Sequence, residues 1–518
     1  MATDPDTLRS YLEDAADYPG GHATSVAFPR DEAGVAALVT RYPRILPIGA
    51  QSSLTGGATP QGDLVLSTAR MDRIVEIGRD FVRVQPGVPI ATLQQALAER
   101  SLYYPPAPTY TGAFVGGTIA TNASGAATFK YRSTREWVRS TTVVLATGEV
   151  LDLERGQVVA HQDGYFEIDG PAGLRRVPVP RYRMPDVPKH SAGYFAAPGM
   201  DLVDLFVGSE GTLGVIVEAT LGLISPAPAT ALAFVPFGSE RQAMEVAKTL
   251  HDASKETWRR GDAHGLDVSA IELVDRRSIE LLREDGIDAK YAVSFPPSTE
   301  LALLVQLELA AGTTNDEAYE QIAAALDPDP PDGPLVRLCR LLDQAGVLGE
   351  TEMALPGDRR RADQFFEVRE AVPSAVKQRV AVAQERVHPG IEKTAADMVV
   401  PFERFGEMMQ AYRRGFESRG LDYAIWGHAS DGNVHPNVIP RTFEDVLAGR
   451  EAILEFGREA ARLGGCPLAE HGVGRNAVKQ ALLRSLYGTE GIDQMRAVKA
   501  ALDPEWKLAP GVVFLRTD

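Results

Sequence analysis

Residues 426–437 read WGHASDGNVHPN. Asp431-Gly432 suits a two-residue type I′ turn, in which both turn positions need φ > 0, so the stretch is expected to form a β-hairpin. With the turn placed there, His428 lies directly across from His435, with Cβ atoms ~5 Å apart on one face. Asn437, two positions beyond His435, projects from that same face. Two imidazoles and an amide then converge, which is how a pair of metal ligands is presented. The plainer reading is a polar hairpin with surface histidines. The rest of the chain has to decide between them.

With 518 residues the chain exceeds what one hydrophobic core serves, so two or three domains are expected. The 44% apolar and 24% charged fractions are those of an ordinary globular protein. A net charge of −17 argues against nucleic acid or an anionic membrane surface as the main partner. It leaves room for a small anionic substrate, because a few local cations can dominate a pocket. The 2 cysteines, Cys339 and Cys466, encode neither a disulfide framework nor a cysteine-ligated iron–sulfur cluster. The acidic start, MATDPDTLRSYLEDA, lacks the apolar run of a secretory signal, and no stretch approaches the ~18 apolar residues of a membrane span. A cytoplasmic location is expected, with peripheral contact to the inner face of a membrane left open.

Along the chain, residues 8–16 suggest a short opening helix and Val26–Pro29 a strand. Asp31–Tyr42 suggests an amphipathic helix capped by Asp31. Ile45–Ile48 reads as a short buried strand running into Gly49-Ala50-Gln51-Ser52-Ser53-Leu54-Thr55-Gly56-Gly57, whose small residues let backbone N–H groups nest around phosphate oxygens. This is neither GxGxxG nor GxxxxGK[ST], so the Rossmann and P-loop readings do not fit. Strands are expected at Asp63–Ser67 and Arg83–Val88, and a helix at Ile90–Arg100. A rigid extended segment follows at 105–109, PPAPT. Residues 116–125, GGTIATNASG, leave almost no side-chain bulk, so a flat ligand could lie along their backbone. Residues 205–216, LFVGSEGTLGVI, repeat the theme on a turn before a strand. Three such segments together suit one long groove for a large, flat, phosphate-bearing ligand. An insertion-like run at 155–200 ends in PKHSAGY, where His190 reads either as a residue near that ligand or as part of a surface lysine–histidine pair. Beyond it, strands at Ala231–Phe237 and Leu301–Leu309 alternate with helices at Glu240–Ala253 and Asn315–Ala325, the pattern of an α+β domain. Residues 327–334, DPDPPDGP, read as an exposed loop.

The segments IGAQSSLTGG, PPAPTYTGAFVGGTIATNASG, LFVGSEGTLGVI, WGHASDGNVHPNV and AEHGVGRN, in this order, resemble the FAD-linked D-2-hydroxy acid dehydrogenases of the vanillyl-alcohol oxidase / p-cresol methylhydroxylase superfamily. That family includes D-lactate and D-2-hydroxyglutarate dehydrogenases and the flavin subunit of glycolate oxidase. The resemblance implies an α+β fold, with a two-subdomain FAD-binding domain of p-cresol methylhydroxylase type and an α+β cap with an antiparallel sheet. It places the FAD domain at residues 1–226, the cap at 227–455, and a C-terminal segment, 456–518, that returns to the FAD domain.

The resemblance also assigns residues. Ile48, Gly49, Ala50, Gln51, Ser52, Ser53 and Leu54 would hold the FAD pyrophosphate. Pro108, Thr109, Gly112, Gly116, Gly117 and Ala120, with Thr121, Asn122, Gly125 and Ala126, would run beside the flavin and ribityl chain. Glu210, Gly211, Gly214 and Ile216 would support the adenine end. None of the 9 histidines falls between 45 and 60, so FAD held non-covalently is expected.

By the same resemblance His428, His435 and Glu470 would bind a divalent metal, an N,N,O set that Zn²⁺, Mn²⁺ or Fe²⁺ could occupy. His471 would be the base, and Arg369, Lys393 and Asn437 would hold the substrate carboxylate, Arg369 by a bidentate fork. The plainer reading of Arg369, in FFEVRE, is a surface ion pair on a charged helix. Ala395-Ala396-Asp397 departs from the family's acidic spacing, and Ala509 stands where an asparagine is usual.

The implied reaction oxidises a D-2-hydroxy acid, lactate-like or larger, to the 2-oxo acid, with hydride transfer to flavin N5. Electrons would pass to an external acceptor other than NAD: a quinone, a cytochrome, an electron-transfer flavoprotein or oxygen. A homodimer is compatible with all of this. The alternatives are a flavin-fold transferase of the alkyl-dihydroxyacetone-phosphate synthase type and a non-catalytic flavin-binding subunit of an oxidase complex.

Overall fold

The chain forms a computed structural model that describes residues 1–106, 108–170 and 173–517. It divides into two compact units, one of residues 1–125, 132–225 and 464–518, the other of 126–131 and 226–463.

In the first unit, β1 (His22–Ala27), β2 (Ile45–Ile48) and β3 (Gln61–Ser67) form a parallel sheet in the order β1–β3–β2. The helix Glu32–Arg41 carries the chain from β1 past β3 to β2, the crossover that parallel strands need. The Asp31 side chain caps that helix, accepting the Gly34 N–H at 2.8 Å. Val35 and Val39, four apart on one helix face, pack with Ile45, Leu64 and Leu66. The opening helix lies at Pro5–Arg9 rather than 8–16, because Asp4 caps it and Pro5 occupies its first turn.

A second sheet is antiparallel. It contains β4 (Ile74–Ile77), β5 (Phe81–Val84), β6 (Val138–Val144) and β7 (Val150–Glu154). The insertion-like run contains two antiparallel paired strands, β8 (Tyr165–Gly170) and β9 (Gly173–Pro178). β10 (Val215–Gly222) follows the GSEGTLG turn and takes the centre of the second sheet, in the order β4–β5–β10–β6–β7. β5 stops at Val84, short of the predicted Val88, because Pro86 cannot donate to a ladder. Ala107 of the PPAPT segment lies outside the described residues. The C-terminal segment returns to this unit, where Ile45 N–H bonds Lys507 O at 2.8 Å and Ala509 N–H bonds Ile45 O at 2.7 Å.

The second unit is built on an antiparallel sheet. Its strands are β11 (Ala229–Phe237), β12 (Val268–Asp275), β13 (Leu301–Leu309), β14 (Glu352–Ala354), β15 (Thr394–Ala395), β16 (Met398–Val399), β17 (Tyr423–His428) and β18 (Asn433–Val438). The order is β14–β11–β13–β12–β17–β18–β15, with β16 also on β18. β13, LALLVQLEL, is buried almost throughout, as its apolar run requires of an interior strand. Phe234, Leu304 and Trp426 of the sheet pack with Phe365, Val368 and Val372 of the helix Arg359–Arg386. The helix expected at 240–253 continues to Arg260 and ends at Gly261, whose φ of 64° provides a left-handed stop. Among the described residues no helix is long and apolar enough to cross a membrane.

Candidate active site

The hairpin of residues 426–437 forms, with a different turn. Ala429–Asp431 make one 3₁₀ turn, and of the two predicted turn positions only Gly432 takes positive φ, 76°. The pairing is therefore His428 with Asn433, Trp426 with His435 and Ala424 with Asn437, two residues away from the predicted register. The cause is tertiary. Val400 N–H bonds Gly432 O at 3.1 Å. A Cβ at Gly432 would lie 2.1 Å from Val400 O, so the glycine is held where the neighbouring chain presses on it. A shift of two keeps every side chain on its face. His428 and His435 remain together as diagonal neighbours, ring centroids 5.5 Å apart and planes at 90°. Both are buried, as is Asn437, which excludes the surface-histidine reading.

Sequence reasoning missed Glu272. It sits on β12 directly opposite His428. Its Oε1 meets Nδ1 of His428, and its Oε2 accepts from Nε of Arg369 at 2.7 Å. Burial pushes this carboxyl upward, but His428 and Arg369 outweigh burial and hold it well below the ordinary carboxylate range. Arg369 is thus no surface pair. It is 7% exposed, and its Nη1 also donates to Glu370 at 2.6 Å. Asp397, which the sequence showed only as a departure from a pattern, is buried with Oδ1 3.7 Å from Nδ1 of His435. Asn437 donates to His435 O at 2.9 Å and Asn433 to Met398 O at 2.8 Å. The side-chain oxygens of both amides are buried without a hydrogen-bond partner among the described residues, a state proteins rarely leave unanswered. Two imidazoles, a carboxylate oriented onto one of them, and two amide oxygens in need of a partner fit a divalent cation and a polar ligand. Lys393 precedes β15 with its side chain exposed.

In the first unit the small-residue segments converge. A Cβ on Gly49 would come 3.7 Å from Gly117 Cα, and a Cβ on Gly117 would meet nothing within 4 Å, so backbone there borders open space. That suits a flat cofactor lying on main chain. Residues 116–125 are not wholly extended, since Val115–Ala120 is a helix whose Gly116 lets it rest on Pro86. Asn122 uses its amide on this chain, donating to His190 O at 3.3 Å and accepting Arg135 N–H at 3.0 Å. Glu210 does likewise. Its carboxylate accepts the N–H groups of Val473 at 2.8 Å and Gly474 at 2.9 Å, pinning the loop that carries Glu470 and His471. Burial pushes its carboxyl up to about 7 against those two bonds.

The PKHSAGY segment clasps the same loop. Ser191 N–H bonds Leu468 O at 3.0 Å, Gly472 N–H bonds Ser191 Oγ at 3.0 Å, and Lys189 Nζ lies 2.8 Å from Glu470 Oε2. Lys189 is buried, so the surface lysine–histidine pair is corrected. His190 stacks parallel to Phe195, and burial with Arg135 nearby pushes its imidazole down to about 3. His471 Nε2 lies 3.3 Å from Glu470 Oε1.

Small-residue backbone bordering open space in one unit and a buried imidazole pair on the sheet of the other are compatible with a flavin-dependent oxidoreductase. Comparison with known proteins carries this to a family. The pattern described as "FAD linked oxidases, C-terminal domain" matches residues 228–513, and that described as "FAD binding domain" matches 23–154. The chain belongs to the FAD-linked oxidases, and its fold is the p-cresol methylhydroxylase-type flavoprotein fold.

It is 28% identical to a protein named glycolate oxidase subunit GlcD of Bacillus subtilis, over 98% of this chain and 92% of that one. It is also 28% identical to a D-2-hydroxyglutarate dehydrogenase of Xanthomonas citri, over 99% and 94%. Identity to a probable mitochondrial D-lactate dehydrogenase of Danio rerio is 28%, over 94% and 84%. Among solved structures, an alkyldihydroxyacetonephosphate synthase superposes with a TM-score of 0.60 at 14% identity, over 98% of this chain and 81% of that one, a likeness of fold alone.

Proposed function

We propose that this enzyme oxidises a D-2-hydroxy acid to the 2-oxo acid. The observation that carries the proposal is the buried His428–His435 pair with Glu272 behind it, in a chain whose relatives are named for 2-hydroxy acids. Bound FAD supplies the two-electron acceptor, and a bound divalent cation supplies a Lewis acid that lowers the pKa of the substrate hydroxyl.

The chain's own residues do the rest. His428 and His435 offer the nitrogen donors for the cation, and the resemblance adds Glu470 as the oxygen donor. Asn437, whose Oδ1 lacks a hydrogen-bond partner among the described residues, is a polar contact for the substrate. Arg369 and Lys393 supply positive charge for its carboxylate, and such orientation contributes several kcal/mol, of the order of 7 or more at best. His471 takes the hydroxyl proton at an imidazole nitrogen, a role suited to neutral pH. The segments 48–54, 108–126 and 210–216 hold FAD without a covalent bond. Electrons leave to a separate acceptor of the quinone, cytochrome, electron-transfer flavoprotein or oxygen type, since two cysteines cannot ligate a four-cysteine cluster.

Anaerobic addition of D-lactate, D-2-hydroxyglutarate, glycolate and aromatic 2-hydroxy acids tests the reading. Bleaching of flavin absorbance at about 450 nm by at least one D-acid is expected. A protein that binds FAD yet bleaches with none of them is instead a transferase or a binding subunit.

A further inference from the structure

Resting on the reading of the hairpin as a cation site, we infer that Glu272 is a positioning residue. It orients the His428 ring and draws Arg369 into the same array, so that Arg369 acts on the histidine through Glu272. Glu272 and His428 are direct cross-strand partners, so their side chains leave the sheet on one face. Each carboxylate oxygen has its own partner, Oε1 the His428 ring and Oε2 the Arg369 guanidinium at 2.7 Å. All three side chains are buried. A carboxylate on Nδ1 selects the ring form that carries hydrogen there. The other nitrogen, Nε2, is then the donor for a cation, and its basicity rises.

Arg369 has a clear physical role in this array. A carboxylate buried beside an imidazole needs a counter-charge, and a guanidinium meets it with fixed geometry. Two of the Arg369 donors, Nε and Nη1, are engaged by Glu272 and Glu370 of this same chain. The array spans residues 97 positions apart between Glu272 and Arg369 and 156 between Glu272 and His428.

The test uses the flavin-loaded protein stripped of metal and titrated with Mn²⁺ or Zn²⁺ against a chromophoric chelator, in the absence of substrate. FAD content serves as the measure of folding. Glu272→Ala removes both contacts, and Glu272→Gln keeps the size and one acceptor. Cation affinity is expected to fall about 10–100-fold in E272A and less in E272Q. Arg369→Leu is expected to weaken cation binding too, and to add little in the E272Q background, since residues acting in one chain are not additive. Should E272A fail to fold, E272Q and R369L decide. Wild-type cation affinity in both Glu272 variants, or an R369L variant whose only change is a raised KM, overturns the assignment. A wild-type protein that binds neither cation overturns the reading of the hairpin itself, and this assignment with it.

Discussion

Lys189 and Glu470, 281 positions apart in the chain, form an ion pair of 2.8 Å in which the lysine side chain is fully buried and the glutamate nearly so. The pair anchors the segment that carries His471. Removing one member of such a pair costs about 3–5 kcal/mol, because the other keeps its desolvation cost and loses that partner. Lys189→Met is therefore expected to lower the unfolding free energy by that order, with Glu470→Gln in the same background recovering part of it. Urea unfolding of the two variants checks this. A midpoint equal to the wild type in K189M would show that the pair carries no stability.

Glu210 makes stability depend on pH. Burial raises its carboxyl from 4.5 to about 7, so the folded state binds a proton that the unfolded state has released across that interval. The contribution of Glu210 is fully present below 4.5 and is lost as pH rises through about 7. Glu210→Gln removes the dependence. Relative to this variant, the wild type is expected to lose stability between pH 5 and pH 8. Unfolding curves at the two pH values measure the difference, and a gap that does not change with pH contradicts it.

Gly427 separates Trp426 from His428 at a φ of 138°. A Cβ there would lie 2.9 Å from Val434 Cα and 3.1 Å from the His435 ring. Gly427→Ala is expected to push β18 and the His435 ring away, weakening cation binding at least tenfold, a loss of about 1.4 kcal/mol. FAD content should stay normal, since the residues proposed to hold FAD, Ala126 apart, lie in the other unit. Loss of FAD together with the cation would mean that the strain is not local.

His471→Ala is expected to abolish flavin reduction by the D-acid while leaving FAD bound. General-base removal typically costs about 10²–10⁴-fold. Anaerobic stopped-flow at the flavin band gives the rate, and wild-type reduction in this variant would remove His471 from the mechanism.

Much of the fold was legible because its signals are local. β2 at Ile45–Ile48 and β13 at Leu301–Leu309 are short apolar runs bounded by breakers. Asp31 announces the helix it caps, and the GSEGTLG turn delivers β10. The hairpin was legible as a hairpin, and its histidines share a face because alternation along a strand is intrinsic to the backbone. Its register was not legible. The Asp431-Gly432 dipeptide favours one turn in isolation, but Val400, some thirty residues away, packs where that choice is settled.

The motifs in their order, through the family resemblance they carry, determined the cofactor class, and strand alternation put the two imidazoles on one face. Only the tertiary structure decided what stands behind them. Glu272 faces His428, Glu210 holds Val473 and Gly474, and Lys189 meets Glu470. A lone glutamate in an apolar strand or a lysine beside a histidine carries no local mark of its partner. Buried charges are matched across hundreds of residues by the packing of whole elements, and that packing is a property of the folded chain.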